Sequence, residues 1–269
     1  MTLQKYVSLL TRKIISNPII YEIYEEILWT QIKEGPIPEH IGAILDGNRR
    51  WATERYMPTW IGHRLGADKI EDLLKWCLDL KVKTITLYIF STENFNRGDK
   101  EVNEIMYLCE ERLKTVISNE SIHKNKVQIR AIGRINLLSK SIQKQIHEVE
   151  EATKKYDQHY LNMAIAYGGR AEIVDATKKI AEEVREGKIS IDSINEKTIE
   201  DHLYTAHLPN SDPDLIIRTS GEERLSGFLL WQGAYSELCF LDVFWPDFRR
   251  IDLWRAVRMY QQRKRRYGI

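Results

Sequence analysis

The sequence predicts an α/β fold, a single domain whose central, mostly parallel sheet of about six strands is flanked by helices. Three observations predict it. From residue 40 onward, short β-rich runs alternate with longer segments whose apolar residues recur with a period near 3.6. An apolar content of 43% over 269 residues supplies a core large enough for one such domain. Four polar clusters each follow the end of a predicted strand, and open parallel sheets bind ligands beyond the carboxyl ends of their strands.

The elements follow in order. Leu3, Tyr6, Val7, Leu10 and Ile14, then Ile20, Tyr24, Ile27 and Leu28, recur at helical spacing, and Pro18 between the two sets divides them into two helices. This segment either packs on the main domain or presents an amphipathic face that touches a bilayer. Pro36 and Pro38 mark a short linker, so residues 1–35 read as a helical extension and 36–269 as the main domain. Strands are expected at 40–45, 84–90, 127–132, 160–166 and 215–218, with a last one near 238–241. Ile70, Leu73, Leu74 and Cys77 stripe one intervening helix, and Val102, Ile105, Met106, Cys109, Leu113 and Val116 stripe the next. Both stripes are most simply core. The polar stretch 183–200 is expected to hold a surface loop.

Charge narrows the function. Forty Lys plus Arg against 39 Asp plus Glu leave no global field of the kind that marks a nucleic-acid partner, so any anion site must be local. The basic run Arg263-Lys264-Arg265-Arg266 suits a solvated helix end, and no nucleic acid is expected. Cys77, Cys109 and Cys239 are odd in number and far apart, which fits reduced core thiols in a cytoplasmic protein. With no long apolar run and no signal-peptide pattern, the chain is expected to be soluble or peripheral at a membrane surface.

The clusters are Asp46-Gly47-Asn48, Ser91-Thr92-Glu93-Asn94, Tyr167-Gly168-Gly169-Arg170 and Thr219-Ser220-Gly221. Asp46 with Gly47 alone would be a turn. Followed by Asn48, Arg49, Arg50 and Trp51, it becomes a carboxylate able to hold Mg2+ beside two guanidinium groups suited to phosphate oxygens. His63 is either structural or a further hydrogen bond to phosphate. Arg218, Gly221, Arg224 and Ser226 form a second anion-binding group. Glu237 lies in a strongly apolar stretch and needs a partner, either a metal shared with Asp46 or an arginine. Two arginine sets suggest two polyanionic substrates, and Trp51, Tyr88, Phe90 and Phe95 offer an apolar wall beside them. Diphosphates with hydrocarbon tails meet both requirements. A Walker glycine loop, a dinucleotide fingerprint and an Asp-Asp-x-x-Asp run are all missing.

At residues 40–52 (HIGAILDGNRRWA), Gly62-His63 with Gly66, 86–97 (TLYIFSTENFNR), 167–170 and 217–248 (IRTSGEERLSGFLLWQGAYSELCFLDVFWPDF), the chain resembles the cis-prenyltransferases, from about residue 36 onward. The resemblance implies a homodimer with a hydrophobic tunnel for the growing chain. It also implies a Mg2+-dependent condensation of isopentenyl diphosphate with an allylic diphosphate, geranylgeranyl or farnesyl, to a polyprenyl diphosphate near undecaprenyl length. By the same resemblance Asp46 matches the essential Mg2+-linked aspartate and Glu237 a second metal-linked carboxylate. Gly47, Asn48, Arg49, Arg50, Trp51 and His63 match positions around the allylic diphosphate. Ser91, Thr92, Glu93, Phe95 and Arg97 match the next substrate-contacting block, in which Asn94 matches the residue often assigned to proton acceptance. Arg218, Arg224, Leu225 and Ser226 match the isopentenyl diphosphate site, and Arg266 and Gly268 match the terminal Arg-x-Gly of catalytic subunits. The Arg49-Arg50 pair is of the archaeal and eukaryotic-like kind. Thr59 stands where bacterial members often carry an arginine, and Glu223 where they carry a histidine. The rival is a non-catalytic subunit of a heteromeric prenyltransferase, which would not need Asp46, Arg218, Arg224 and Glu237.

Overall fold

The computed structural model describes residues 18–263. In chain order it holds α1 (Pro18–Ile32), β1 (His40–Ile44), α2 (Asn48–Glu54), α3 (Thr59–Asp79), β2 (Thr84–Ser91), α4 (Asp99–Val116), α5 (Glu120–Lys124), β3 (Val127–Ile132), α6 (Lys140–Thr153), β4 (His159–Tyr167), α7 (Gly169–Arg185), α8 (Glu196–Glu200), β5 (Leu215–Arg218), β6 (Glu237–Phe240) and α9 (Arg250–Gln262). All six expected strands are present. The stretch 183–200 is only partly loop, because α7 runs on to Arg185 and α8 begins at Glu196.

The strands form one sheet in the order β3-β4-β2-β1-β5-β6, and every pairing is parallel. Strand β1 is buried along its whole length, as befits a strand covered on both faces, whereas edge strand β3 exposes Arg130 and half-buries Gln128. Leu73 and Cys77 of α3 are buried in the core as expected, while Ile70 and Leu74 are half-buried. Helix α6 shows the full pattern, with Ser139 capping the N–H of Ile142 and with Ile142, Ile146 and Val149 buried at i, i+4 and i+7.

The chain divides into two compact units. One is the sheet with its helices, Pro38–Phe248. Among the described residues the other consists of α1 with the segment after it and α9. There the rings of Trp29 and Trp254 lie 5.3 Å apart, and the Gln261 amide donates to the Ile32 carbonyl at 2.8 Å. Helix α1 starts at Pro18, a favourable first helical residue, and the expected helix before it lies outside the described residues. No helix among the described residues is long and apolar enough to cross a membrane.

Candidate active site

The sheet positions the site through its strand order. From β1 the chain passes to β2, goes out to edge strand β3, returns to insert β4 between them, and then crosses to place β5 and β6 on the other side of β1. The crevice beyond β1 and β5 is therefore the topological switch point, where open α/β sheets bind ligands. Register sets Ile44 of β1 level with Arg218, the last residue of β5, so Asp46 emerges beside that arginine.

Gly47 makes the turn there. Its φ is 106°, and a Cβ would lie 2.7 Å from the Phe244 ring. The turn leads directly into α2, from which Arg50 reaches back over Asp46. Arg218 Nη2 donates to Asp46 Oδ2 at 2.8 Å, and Arg50 Nη2 approaches the same oxygen at 3.4 Å while donating to Ser220 Oγ at 2.6 Å. Burial alone would raise the Asp46 pKa, but the Arg218 hydrogen bond and charge, aided by Ser220 and Arg50, outweigh it and hold the carboxyl below its ordinary range. Arg218 is almost fully buried, and its Nη1 also donates to Ser226 Oγ at 2.8 Å and to the Arg224 carbonyl. The Tyr88 hydroxyl donates to the Ser226 carbonyl at 3.2 Å, and its ring stacks on Phe228 at 4.9 Å, which fixes this loop from below.

A second group of lining side chains, two arginines and a histidine, gathers on Glu101. Arg97 Nη1 donates to Glu101 Oε1 at 2.9 Å, His63 Nε2 lies 3.3 Å from the same oxygen, and Arg49 Nη1 is 3.6 Å from Oε2. Burial lowers the His63 pKa, and Glu101 only partly counters this.

These groups line a cavity of about 400 Å³. Of the residues predicted from sequence, it gathers Asp46, Gly47, Asn48, Arg49, Arg50, His63, Ser91, Asn94, Arg97, Arg218, Arg224 and Ser226. Trp51, Thr92, Glu93, Phe95 and Leu225 are not in its wall. Trp51 is buried and donates from Nε1 to Asp247 at 2.7 Å, and Phe95 packs edge-on against Phe90. The Tyr167-to-Arg170 cluster braces instead of lining: the Gly169 N–H donates to the Gly227 carbonyl at 2.7 Å, and the Tyr167 hydroxyl donates to buried Glu172. Asn94 lines the cavity, and its Oδ1 accepts the Ser91 N–H at 3.0 Å, which leaves Nδ2 as the donor that its amide can offer a ligand. Arg266 and Gly268 lie outside the described residues.

Glu237 stands apart from the cavity within its own chain. It opens β6 level with Leu215, which is level with Ile41 on β1. That is three residues before Ile44, or roughly 10 Å along the strands on the amino side of the sheet, before Asp46 is reached. Within one chain the two carboxylates cannot share a metal. Two acidic residues were missed. Glu222 lines the cavity and pairs with Arg50 at 2.9 Å and with Arg224. Glu101 lies behind its wall, and the only sequence signal for it was its i,i+4 spacing from Arg97.

Leu45, Asn48, His63, Ile89 and Ile105 belong also to a second, largely apolar cavity of about 170 Å³. Ile70, Leu74, Ile105, Cys109, Leu113 and Val116 line it, so part of each helical stripe faces a cavity as well as the core. A third cavity of about 380 Å³ continues past Leu74, Ile122 and Leu161 toward the amino ends of β2 to β4.

Comparison with known proteins agrees with this geometry. The family model for undecaprenyl diphosphate synthase matches residues 44–268. A tritrans,polycis-undecaprenyl-diphosphate synthase (geranylgeranyl-diphosphate specific) from Methanopyrus kandleri is 53% identical over 93% of this chain and 91% of its own, and one from Methanocaldococcus jannaschii is 51% identical over 95% and 91%. Among solved structures, lavandulyl diphosphate synthase from Lavandula x intermedia, in complex with dimethylallyl diphosphate, superposes with a TM-score of 0.84 at 35% identity, covering 87% of this chain and 99% of that one. A probable undecaprenyl diphosphate synthase from Campylobacter jejuni gives a TM-score of 0.71 at 31% identity, covering 87% and 100%. An arginine-rich cavity at the switch point, continuous with an apolar one, thus meets a family match spanning most of the sequence, and the chain belongs to the undecaprenyl diphosphate synthase family, the cis-prenyltransferases.

Proposed function

We propose that the protein condenses isopentenyl diphosphate repeatedly with geranylgeranyl diphosphate, in cis, to a polyprenyl diphosphate of about undecaprenyl length that serves as precursor of a glycosyl carrier lipid. One observation carries the reading: a cationic cavity large enough for diphosphates shares five wall residues with an apolar cavity leading away from it. The preference for a geranylgeranyl primer over farnesyl is supported by the names of the archaeal relatives.

Mg2+ fits the donors. Asp46 is a hard, ionised oxygen ligand in a roomy polar cavity, and among the described residues no trio of His, Cys, Asp or Glu forms an all-protein cage. Mg2+ commonly accepts one or two carboxylates with phosphate oxygens and water. Held by Asp46, it would supply neutralisation of the departing diphosphate's charge. The chain's own groups do the rest. Arg49, His63 and Arg97 receive the allylic diphosphate, and Arg218, Arg224 and Ser226 receive isopentenyl diphosphate. As the allylic carbon–oxygen bond breaks, guanidinium groups already in place stabilise the leaving charge without reorganising. The isopentenyl double bond attacks the allylic cation, and a proton then leaves the new chain. Asn94, presenting a donor, orients the phosphate oxygen or water that takes this proton.

Radiolabelled isopentenyl diphosphate, incubated with geranylgeranyl or farnesyl diphosphate and Mg2+, should yield long labelled alcohols after dephosphorylation and chromatography, most efficiently from the geranylgeranyl primer. EDTA should abolish them. Products of a single condensation, or none, would reject the reading.

A further inference from the structure

Glu101 occupies the first turn of α4 and is absent from the wall of the substrate cavity, yet three groups of that wall converge on its carboxylate. Arg49 comes from α2, His63 from α3 and Arg97 from the segment joining β2 to α4, so the three share no secondary-structure element. Each is a side chain with several rotamers, and an arginine held at one end only samples many of them. The Glu101 side chain is 18% exposed, so its carboxylate oxygens find their partners in these three side chains, whose positions depend on it in turn.

We propose that Glu101 is a positioning residue of the allylic diphosphate subsite, gripping Arg49, His63 and Arg97 from behind so that all three face the entering diphosphate already in place. The inference rests on the reading that these three groups bind the allylic substrate. Two effects of the carboxylate oppose each other. Its negative charge weakens the positive field in the cavity, while its hydrogen bonds with Arg97 and His63 and its ion pair with Arg49 fix the groups that line it. Position should dominate, because Arg49, His63 and Arg97 line the cavity and Glu101 does not, and the loss of the anchor reaches all three at once.

Two substitutions separate charge from reach. Glu101→Gln keeps the shape and removes the charge. Glu101→Asp keeps the charge but is one methylene too short to span three partners. Steady-state kinetics with each substrate varied should show both variants raising the KM for the allylic diphosphate at least fivefold. The KM for isopentenyl diphosphate should stay within twofold of the parent value and kcat within threefold, with each variant's melting temperature checked to be near the parent's. A Glu101→Asp enzyme with unchanged allylic KM, or a Glu101→Gln enzyme with a lower one, would mean that the residue acts through charge alone and would overturn the proposal. Equal rises in both KM values would reduce it to a general structural role and overturn it as well. Arg97→Ala serves as reference. If it raises the allylic KM while the Glu101 variants do not, the positioning role fails and the subsite reading survives; if Arg97→Ala leaves that KM unchanged, the subsite reading itself fails.

Discussion

Asn94 illustrates how a single residue's role turns on which of its atoms is committed. As a carboxamide it is a poor base, and its carbonyl oxygen is already engaged by the Ser91 N–H, so what it offers the cavity is a hydrogen-bond donor. Asn94→Asp should therefore be at least as damaging as Asn94→Ala. The added carboxylate removes the donor and sets a negative charge beside two diphosphates, whereas a residue acting as proton acceptor would tolerate or even gain from it. Turnover of the two variants measured between pH 6 and 8 decides the matter, and an Asn94→Asp enzyme that outperforms Asn94→Ala would restore the base. Asp46 presents the same logic in reverse. Replacing it by alanine would strip a nearly fully buried Arg218 of its counter-charge, so loss of activity would be confounded with loss of stability, and Asp46→Asn, which retains a hydrogen-bond acceptor for the arginine, is the cleaner probe.

At the scale of elements, only part of the stripe on α4 faces the cavity, and Val102 and Met106, both half-buried, do not. Ile105 and Cys109 line the apolar cavity, and Met106, on the same sequence stripe, does not. Ile105→Trp should shorten the principal product, because the ring projects into the space that the growing chain must fill. Met106→Trp should leave product length alone and show any effect as overpacking, typically a loss of about 1–3 kcal/mol. Chromatography of labelled products beside thermal melts reads both, and shortening by Met106→Trp with none by Ile105→Trp would reverse the assignment. The division also explains what was legible in the sequence. All six strands were: the four inner ones read as near-continuous apolar runs bounded by polar turns, and edge strand β3 as an alternation of apolar Val127 and Ile129 with polar Gln128 and Arg130. Residues that end a strand or closely follow one, such as Ser91, Arg218 and Asp46, were legible from the same boundaries. The face of a helical stripe was not, since 3.6 periodicity marks an apolar side without telling packed core from cavity wall. Glu101 was hidden because its partners come from three elements that only the tertiary fold brings together, and the position of Glu237 depended on a strand register that no local pattern encodes.

The whole molecule responds to pH through a buried polar chain that crosses the sheet. His40 Nε2 meets Thr86 Oγ1 at 2.8 Å, the Asn162 amide donates to that hydroxyl at 3.1 Å, and Asn162 Oδ1 lies 3.0 Å from His207 Nε2. Burial pushes both histidines down to about 4 from an ordinary value of 6.5. Below pH 6.5 the unfolded chain therefore binds protons that the folded one refuses. The stabilisation is complete above that pH and is lost progressively as pH falls toward 4, by roughly 2 kcal/mol at pH 5 for fully buried His40. Urea midpoints at pH 7.5 and pH 5 should show the drop, and equal midpoints would contradict it. Assembly is the other property of the whole molecule, and the strand register makes a homodimer testable. Glu237 lies on the amino side of the sheet from Asp46 within its own chain, so if it serves the reaction it must reach the Asp46 of a second subunit from edge strand β6. Asp46→Asn and Glu237→Gln should each inactivate a homodimer of identical chains. When equal amounts of the two variants are mixed under conditions of subunit exchange, each hybrid then pairs one site carrying both defects with one carrying neither, and activity should return to about a quarter of the parent value at statistical exchange. If Glu237 acts within its own chain or not at all in catalysis, every site in the hybrid keeps its own defect or Glu237→Gln is active alone. Native mass spectrometry establishes that hybrids have formed, and their silence would exclude a site completed across the interface by Glu237.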